Sequence, residues 1–381
     1  MDFNYDDEQQ ALREAVRGLI GKAYSDYEER RRAVAADPGF SEQVWGQLAE
    51  MGLLGLPFEE QYGGMGASAI EVGIVAEELG RVVAPEPFLT TVVLAGGAIA
   101  AAGTEVQKTE LLGGISAGES IVAFAHAEPG SRWEPTASVV TATDGGDTWT
   151  LSGTKEPVIQ GARADVLIVS AALPEGGTGL FVVDPSAQGV SREGYRTHDG
   201  GRAARVVLDG AAATPLGAAE DRTGVIARVL DGARIAAANE AIGLMEVAIN
   251  TTSSYLTSRK QFGVPLNTFQ ALTFRAADLY VQLELSRSVA VWASMVLAES
   301  STDEFVAQAA ARASLRISRA GRQVGQEAIQ LHGGIGMTAE YSIGAYTSRL
   351  TALDHLFGDG NHHLGLLACR VGDYAELEPV P

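Results

Sequence analysis

The residues best suited to chemistry gather in the C-terminal part of the sequence. Tyr255-Leu256-Thr257-Ser258-Arg259-Lys260-Gln261-Phe262-Gly263 is followed by Phe269-Gln270, then by Gln330-Leu331-His332-Gly333-Gly334-Ile335-Gly336. Arg259 presents a planar guanidinium whose donors match two oxygens of a pyrophosphate. Phe262 can pack an adenine. Gly333 and Gly334 lack a Cβ, so their backbone N–H groups can approach a phosphate or ribose closely, and Gln330 can hydrogen-bond a polar edge. Each alone also has a structural reading, a cation at a helix C-terminus or a plain glycine turn. Asp231 and Arg234, three apart, share one helical face, either as a surface ion pair or as a pair facing a ligand. Asp359, in Phe357-Gly358-Asp359-Gly360-Asn361-His362-His363, is a carboxylate that can take a proton; between glycines it is also a common turn residue. No further Cys, His or Asp spacing completes a zinc set around His362 and His363, so no metal site is expected.

These residues need elements to position them. The segments 225–258, 269–299 and 304–331 are free of proline and longer than average helices, which predicts a C-terminal four-helix-bundle-type domain over 219–381. Ala and Leu are spread around these helices, so association with another subunit is expected. Short β-rich runs at 121–125, 138–143, 148–152, 166–170, 180–183 and 205–208 are separated by turn signals such as Asp144-Gly145-Gly146-Asp147 and Glu175-Gly176-Gly177. They predict a middle antiparallel β-barrel or sheet domain over 119–218. Residues 1–118 read as an N-terminal helical domain. Leu12, Val16, Leu19 and Ile20 recur at helical spacing, and Ser68 with Glu71 forms a capping-box pattern after the loop Tyr62-Gly63-Gly64-Met65-Gly66. The expected fold class is α+β.

Composition sets the outer limits. The chain has 381 residues and is 46% hydrophobic. No apolar run approaches the roughly 18 residues of a membrane span. The first residues are acidic and lack the basic region of a signal peptide. One cysteine, Cys369, permits no internal disulfide, so a cytoplasmic location is expected. The net charge of −20 argues against nucleic acid as a partner. It also obliges any anionic ligand to find a local cluster of Arg or backbone amides.

In this order and at these separations, the three C-terminal motifs resemble the signature of the acyl-CoA dehydrogenase family of flavoproteins. The resemblance covers essentially the whole chain, including Pro57-Phe58-Glu59-Glu60-Gln61-Tyr62-Gly63-Gly64-Met65-Gly66 and Glu128-Pro129-Gly130. It implies FAD as cofactor, with Arg259, Phe262, Gln270, Gln330, Gly333 and Gly334 binding the ADP half of a neighbouring subunit's FAD, hence at least a dimer. It implies α,β-dehydrogenation of an acyl-CoA thioester, in which a carboxylate removes the α-proton and hydride passes from Cβ to flavin N5. Asp231 and Arg234 then line the acyl-CoA mouth, and an electron-transfer flavoprotein is the expected acceptor.

The sequence departs from the family where its own flavin ring and base would lie. The family's Glu-Gly-Thr appears as Asp359-Gly360-Asn361, leaving Asp359 as candidate base and Asn361 beside the cofactor. Asp is shorter by one methylene, about 1.5 Å, and misplacement on that scale can cost about a hundredfold in rate. The position of an alternative base is Ala233, the usual Thr before Glu-Pro is Ala127, and the usual Trp-x-Thr is Pro157-Val158-Ile159. Four readings follow. The chain is a homodimeric or homotetrameric dehydrogenase with Asp359 as base; it is a non-catalytic partner that completes the FAD site of a second acyl-CoA dehydrogenase subunit in a heterotetramer; it is an oxidase resembling nitroalkane oxidases, with Asp359 as base; or it is a helical scaffold whose motifs are relics. Two-subunit enzymes of the family act on bulky steroid side-chain CoA esters, although nothing in the sequence itself points to a steroid.

Overall fold

The computed structural model describes residues 5–131, 133–146, 148–299 and 302–373. Asp147 of the expected turn, the first four residues of the acidic start and the last eight of the expected C-terminal domain lie outside them. The first helices are α1 (Asp7–Ala23), α2 (Tyr27–Ala35), α3 (Glu42–Glu50) and α4 (Ala69–Arg81). A π-helix, Phe88–Gly96, then runs into α5 (Gly97–Ala102), followed by α6 (Glu105–Ser116). The capping box at α4 forms as expected: the Ser68 hydroxyl accepts from the Ile70 N–H, and the Glu71 carboxylate accepts from the Ser68 N–H.

Seven strands follow: β1 (Val122–Ala125), β2 (Thr141–Asp144), β3 (Trp149–Ile159), β4 (Val166–Ala172), β5 (Thr178–Val183), β6 (Val190–Arg196) and β7 (Arg202–Pro215). Most ladders are antiparallel; β1–β4 and a single β2–β4 bridge are parallel. Pairing runs β4–β5–β7–β3–β2 and returns to β4, which closes a small barrel. β3 outruns its predicted stretch because an irregularity between Lys155 and Val158 interrupts its side-chain alternation. β6 is an exposed edge strand of polar residues, so it gives no periodic signal.

The chain then returns to helices. α7 (Thr223–Ser258) leads through a hairpin of β8 (Lys260–Gln261) and β9 (Val264–Pro265) to α8 (Gln270–Ala298), α9 (Asp303–His332), α10 (Ile343–Leu356) and α11 (Gly360–Ala368). α7 is buried on almost every side between Ala233 and Met245, because α4, α8, α9 and α10 all pack on it. Its approach to α4 needs two glycines. A Cβ on Gly80 would sit 2.2 Å from the Glu240 carbonyl oxygen, and one on Gly243 would sit 1.9 Å from that of Glu77. The N- and C-terminal helices consequently share one hydrophobic core, and the barrel holds a second. No helix of the described residues is long and apolar enough to cross a membrane.

Glu86 pins the start of the π-helix. It is buried, accepts hydrogen bonds from the Tyr24 hydroxyl and the Ser41 N–H, and leaves its second oxygen without a partner among the described residues. Burial pushes its carboxyl up to about 7 from an ordinary 4.5, against the pull of those donors. The folded chain therefore holds this proton more tightly than the unfolded chain. The stabilisation is complete below the unfolded value and is lost as pH rises towards 7. Glu86→Gln, which keeps a neutral side chain, should gain stability relative to wild type between about pH 5 and about pH 8, by on the order of 3 kcal/mol at most. Denaturant melts at both pH values check this; an unchanged difference between the two proteins would contradict it.

Candidate active site

A cleft of about 700 Å³, open mouth included, lies where the barrel meets the helices. Phe124, His126, Ala127, Pro157 and Ile159 line it from the barrel. Thr90 and Leu94 of the π-helix, Leu230 and Arg234 of α7, and Leu356 with Phe357 line it from the helices. Ala127 and Ile159, two positions where the sequence departs from the resembled family, thus face one cavity.

The barrel wall is held by Lys155, which is fully buried. Its ammonium donates to Glu128 Oε1 at 2.7 Å, to Ser170 Oγ at 2.9 Å and to the His126 carbonyl at 3.0 Å. Burial lowers this ammonium to about 8 in spite of Glu128. Glu128 also accepts from the backbone N–H groups of Ser138 at 2.8 Å, Val139 at 2.8 Å and Val140 at 2.9 Å. Burial opposes its charge, but Lys155 and these donors outweigh it and hold the carboxyl at about 2. His126 Nε2 lies 2.8 Å from the Glu134 carbonyl oxygen, which can only accept, so Nε2 carries the proton. The Ser170 hydroxyl then donates to Nδ1, also at 2.8 Å. Burial and Lys155 lower the imidazole to about 4, so it is neutral at neutral pH. Both ring nitrogens of His126 and both oxygens of Glu128 are committed within the wall.

The loop that Glu128 closes carries Trp133 into the cleft. Trp133 takes a φ of 60°, and its indole N–H donates to the His355 carbonyl at 3.0 Å. Its ring lies 5.2 Å from that of His362. On the helical side, Arg234 donates through Nη1 to Asp231 at 2.7 Å and through Nε to the Phe357 carbonyl at 2.9 Å. Burial raises the Asp231 carboxyl although Arg234 pulls it down. The sequence places this pair on one face, and the structure uses it as a buried ion pair: Arg234 reaches the cleft, while Asp231 is not among its lining residues.

Asp359 is also absent from that lining. Its carboxylate accepts the His362 N–H at 2.8 Å as the N-cap of α11. The carboxylates that do line the cleft, among the described residues, are Glu128, already ion-paired, and Glu134, exposed at the rim. Asn361 is exposed in the first turn of α11. His362 faces Trp133, while His363 is buried and lowered to about 3, chiefly by that burial. No group of three metal-binding side chains occurs among the described residues.

Arg259, Phe262, Gln270, Gln330, Gly333 and Gly334 gather at the far end of α7, α8 and α9. Tyr255, one turn before Arg259, stacks on His332 with ring centroids 4.6 Å apart. Arg275 of α8 pairs with Glu327 of α9 at 2.5 Å. Arg259 caps α7, and its carbonyl accepts the Leu266 N–H at 2.9 Å, which closes the small hairpin. Phe262 sits at the hairpin tip with φ 53° and is 92% exposed. Gly333 has φ 64°, and a Cβ on either Gly333 or Gly334 would meet nothing among the described residues within 4 Å. Asn361 is apart from this group: Gly360 packs on Ser318, about 18 Å before Gln330 along α9.

The fit to FAD is therefore divided. The exposed cradle offers a free aromatic face, a guanidinium and open backbone glycines, which suit an ADP moiety. The cleft offers a flavin ring no uncommitted side chain at Ala127, Ile159, His126 or Glu128, and Trp133 also lines it. Sequence reasoning missed Lys155, His126 and Trp133. The alternation in β3 carried a usable signal for Lys155, since its phase from Leu151 turns that charge inward, where it needs a partner. Trp133 sits on an irregular loop and carries no such signal.

The acyl-CoA dehydrogenase N-terminal domain matches residues 6–119, and the acyl-CoA dehydrogenase C-terminal domain matches residues 223–372. Acyl-CoA dehydrogenase FadE12 of Mycobacterium tuberculosis is 30% identical over 358 residues, covering 90% of each chain. The probable acyl-CoA dehydrogenase YngJ of Bacillus subtilis is 28% identical over 363 residues, covering 90% of this chain and 92% of that one. Among solved structures, a variant of the Tcur3481–Tcur3483 steroid ACAD is 33% identical with a TM-score of 0.87, over 96% of this chain and 98% of that one. The ChsE4–ChsE5 complex from Mycobacterium tuberculosis gives a TM-score of 0.89 at 25% identity, over 99% and 100%. With both terminal regions matched and a relative at this identity along nearly its whole length, the chain belongs to the acyl-CoA dehydrogenase family, oxidoreductases that act on CH–CH bonds.

Proposed function

We propose that this chain is the partner subunit of a hetero-oligomeric acyl-CoA dehydrogenase, and that it lends its cradle to an FAD whose ring lies in a different subunit. The carrying observation is the contrast between its two candidate sites. The cradle at Arg259, Phe262, Gln270, Gln330, Gly333 and Gly334 is exposed, whereas His126, Glu128 and Arg234 of the cleft wall are spent on partners within the chain. Phe262 adds to this. A non-glycine residue at positive φ costs on the order of 1–3 kcal/mol, and an aromatic ring 92% exposed returns little of that cost within its own chain. Phe274, Val281 and Leu285 continue an exposed apolar stripe along α8 at helical spacing, suited to a second subunit.

The assembly dehydrogenates an acyl-CoA thioester between Cα and Cβ, a reaction in which bound FAD is the oxidant. The solved ChsE4–ChsE5 and Tcur3481–Tcur3483 proteins each carry two chain names, and one is described as a steroid ACAD, which supports a two-chain assembly and a bulky acyl group. CarC is described as a subunit of a caffeyl-CoA reductase–Etf complex, which supports an electron-transfer flavoprotein as acceptor. The exposed thiol of Cys369 suits a reducing cytoplasm. In this chain Asp359 is a helix cap, and Asp231 with Arg234 is a pair that positions Phe357.

The chain purified alone should be colourless. Mixed with its catalytic partner it should give a yellow complex, and Arg259→Ala in this chain should weaken flavin retention by about tenfold or more, as the loss of a charge-assisted hydrogen bond implies. Asp359→Asn, which preserves the cap, should leave the activity of the complex unchanged. A solitary chain that carries one flavin and is bleached by an acyl-CoA, or by a nitroalkane, would overturn the proposal.

A further inference from the structure

The cleft is a concave site lined largely by apolar side chains from both the barrel and the helices, the kind of surface on which a planar ring can seat. We infer that Trp133 is the bolt that closes this chain's own cleft to a flavin ring, by tying the barrel loop to α10 and α11 across the mouth. The inference rests on the reading that the ring lies in another subunit, and it adds the residue that enforces this.

The bolt is fastened at both ends. On the helical side the indole N–H donates to the His355 carbonyl at 3.0 Å. That carbonyl lies in the last turn of α10, where helix carbonyls have no intrahelical donor, so the contact satisfies a group that otherwise needs water. The indole also rests against His362, whose backbone N–H is held by Asp359. On the barrel side the loop is fixed next to Trp133 by His126 on the Glu134 carbonyl and farther along by Glu128 on three backbone N–H groups. The φ of 60° at Trp133 is a strained conformation for a residue with a side chain, and these contacts hold it there. Trp133 lines the same cleft as Ala127, Ile159 and Phe357, and the indole–carbonyl bridge holds it there against a planar ring.

FAD titration of the purified chain, followed by flavin fluorescence and absorbance, tests this. Trp133→Gly removes the indole and suits the positive φ. It should raise FAD affinity at least about tenfold over a wild type that binds none or little. Ala127→Thr with Ile159→Thr restores side-chain donors to the wall. If Trp133→Gly alone gains nothing, the triple variant should bind where this double variant, with Trp133 in place, does not. The inference is overturned if the double variant binds FAD as well as the triple, or if the triple variant keeps its circular dichroism spectrum and binds none. Wild-type chain already loaded with flavin would overturn the parent reading as well, whereas an empty wild type and an empty, folded triple variant overturn only this one.

Discussion

The cleft depends on one buried ion pair, Glu128 with Lys155. Both groups lie inside the barrel, where an unpaired charge is costly, and removing either partner of such a pair typically costs about 3–5 kcal/mol. The pair survives burial because every remaining valence is used. Lys155 also reaches Ser170 and a carbonyl, and Glu128 gathers three backbone N–H groups from the far end of its loop. The shape of the loop from Glu128 to Val140 is therefore a consequence of charge satisfaction. Neutral His126 fixes the middle of the loop through the Glu134 carbonyl. Trp133 projects where it does because its loop is held in this way.

The same bookkeeping separates the two ends of the molecule. Around the cleft, four groups bond within the chain: Arg234 to Asp231 and the Phe357 carbonyl, Asp359 to the first turn of α11, and His126 and Glu128 within the wall. Around the cradle, Phe262 holds a strained backbone and an exposed ring, and the glycines at the end of α9 leave open space above the backbone. With a net charge of −20, the chain needs a local cation and amides to receive an anionic ligand, the role proposed for Arg259 with Gly333 and Gly334.

Much of the architecture was legible from local pattern. The three long helices, the capping box at Ser68 and Glu71 and the β character of the middle follow from periodicity and turn chemistry, which act over a few residues. The proposed cradle was named from the order in which its residues occur, and the fold brings Tyr255, one turn before Arg259, onto His332, next to Gly333. What escaped were long-range pairings between residues far apart in sequence, such as Arg234 with the Phe357 carbonyl and Trp133 with that of His355. No periodicity encodes these, because the tertiary fold alone brings the groups together. Asp359 illustrates the converse. Its place in a motif suggests a base, yet its immediate neighbourhood, a helix start with a free N–H three residues on, claims the carboxylate first. Asp231 and Arg234 were legible as a pair and not as a support for Phe357.

Native mass spectrometry of the assembled complex tests the central claim most directly, because a single spectrum counts chains and flavins together. Equal numbers of this chain and a second acyl-CoA dehydrogenase subunit are expected, with one FAD for each unlike pair. A homo-oligomer of this chain holding one FAD per subunit would contradict that claim.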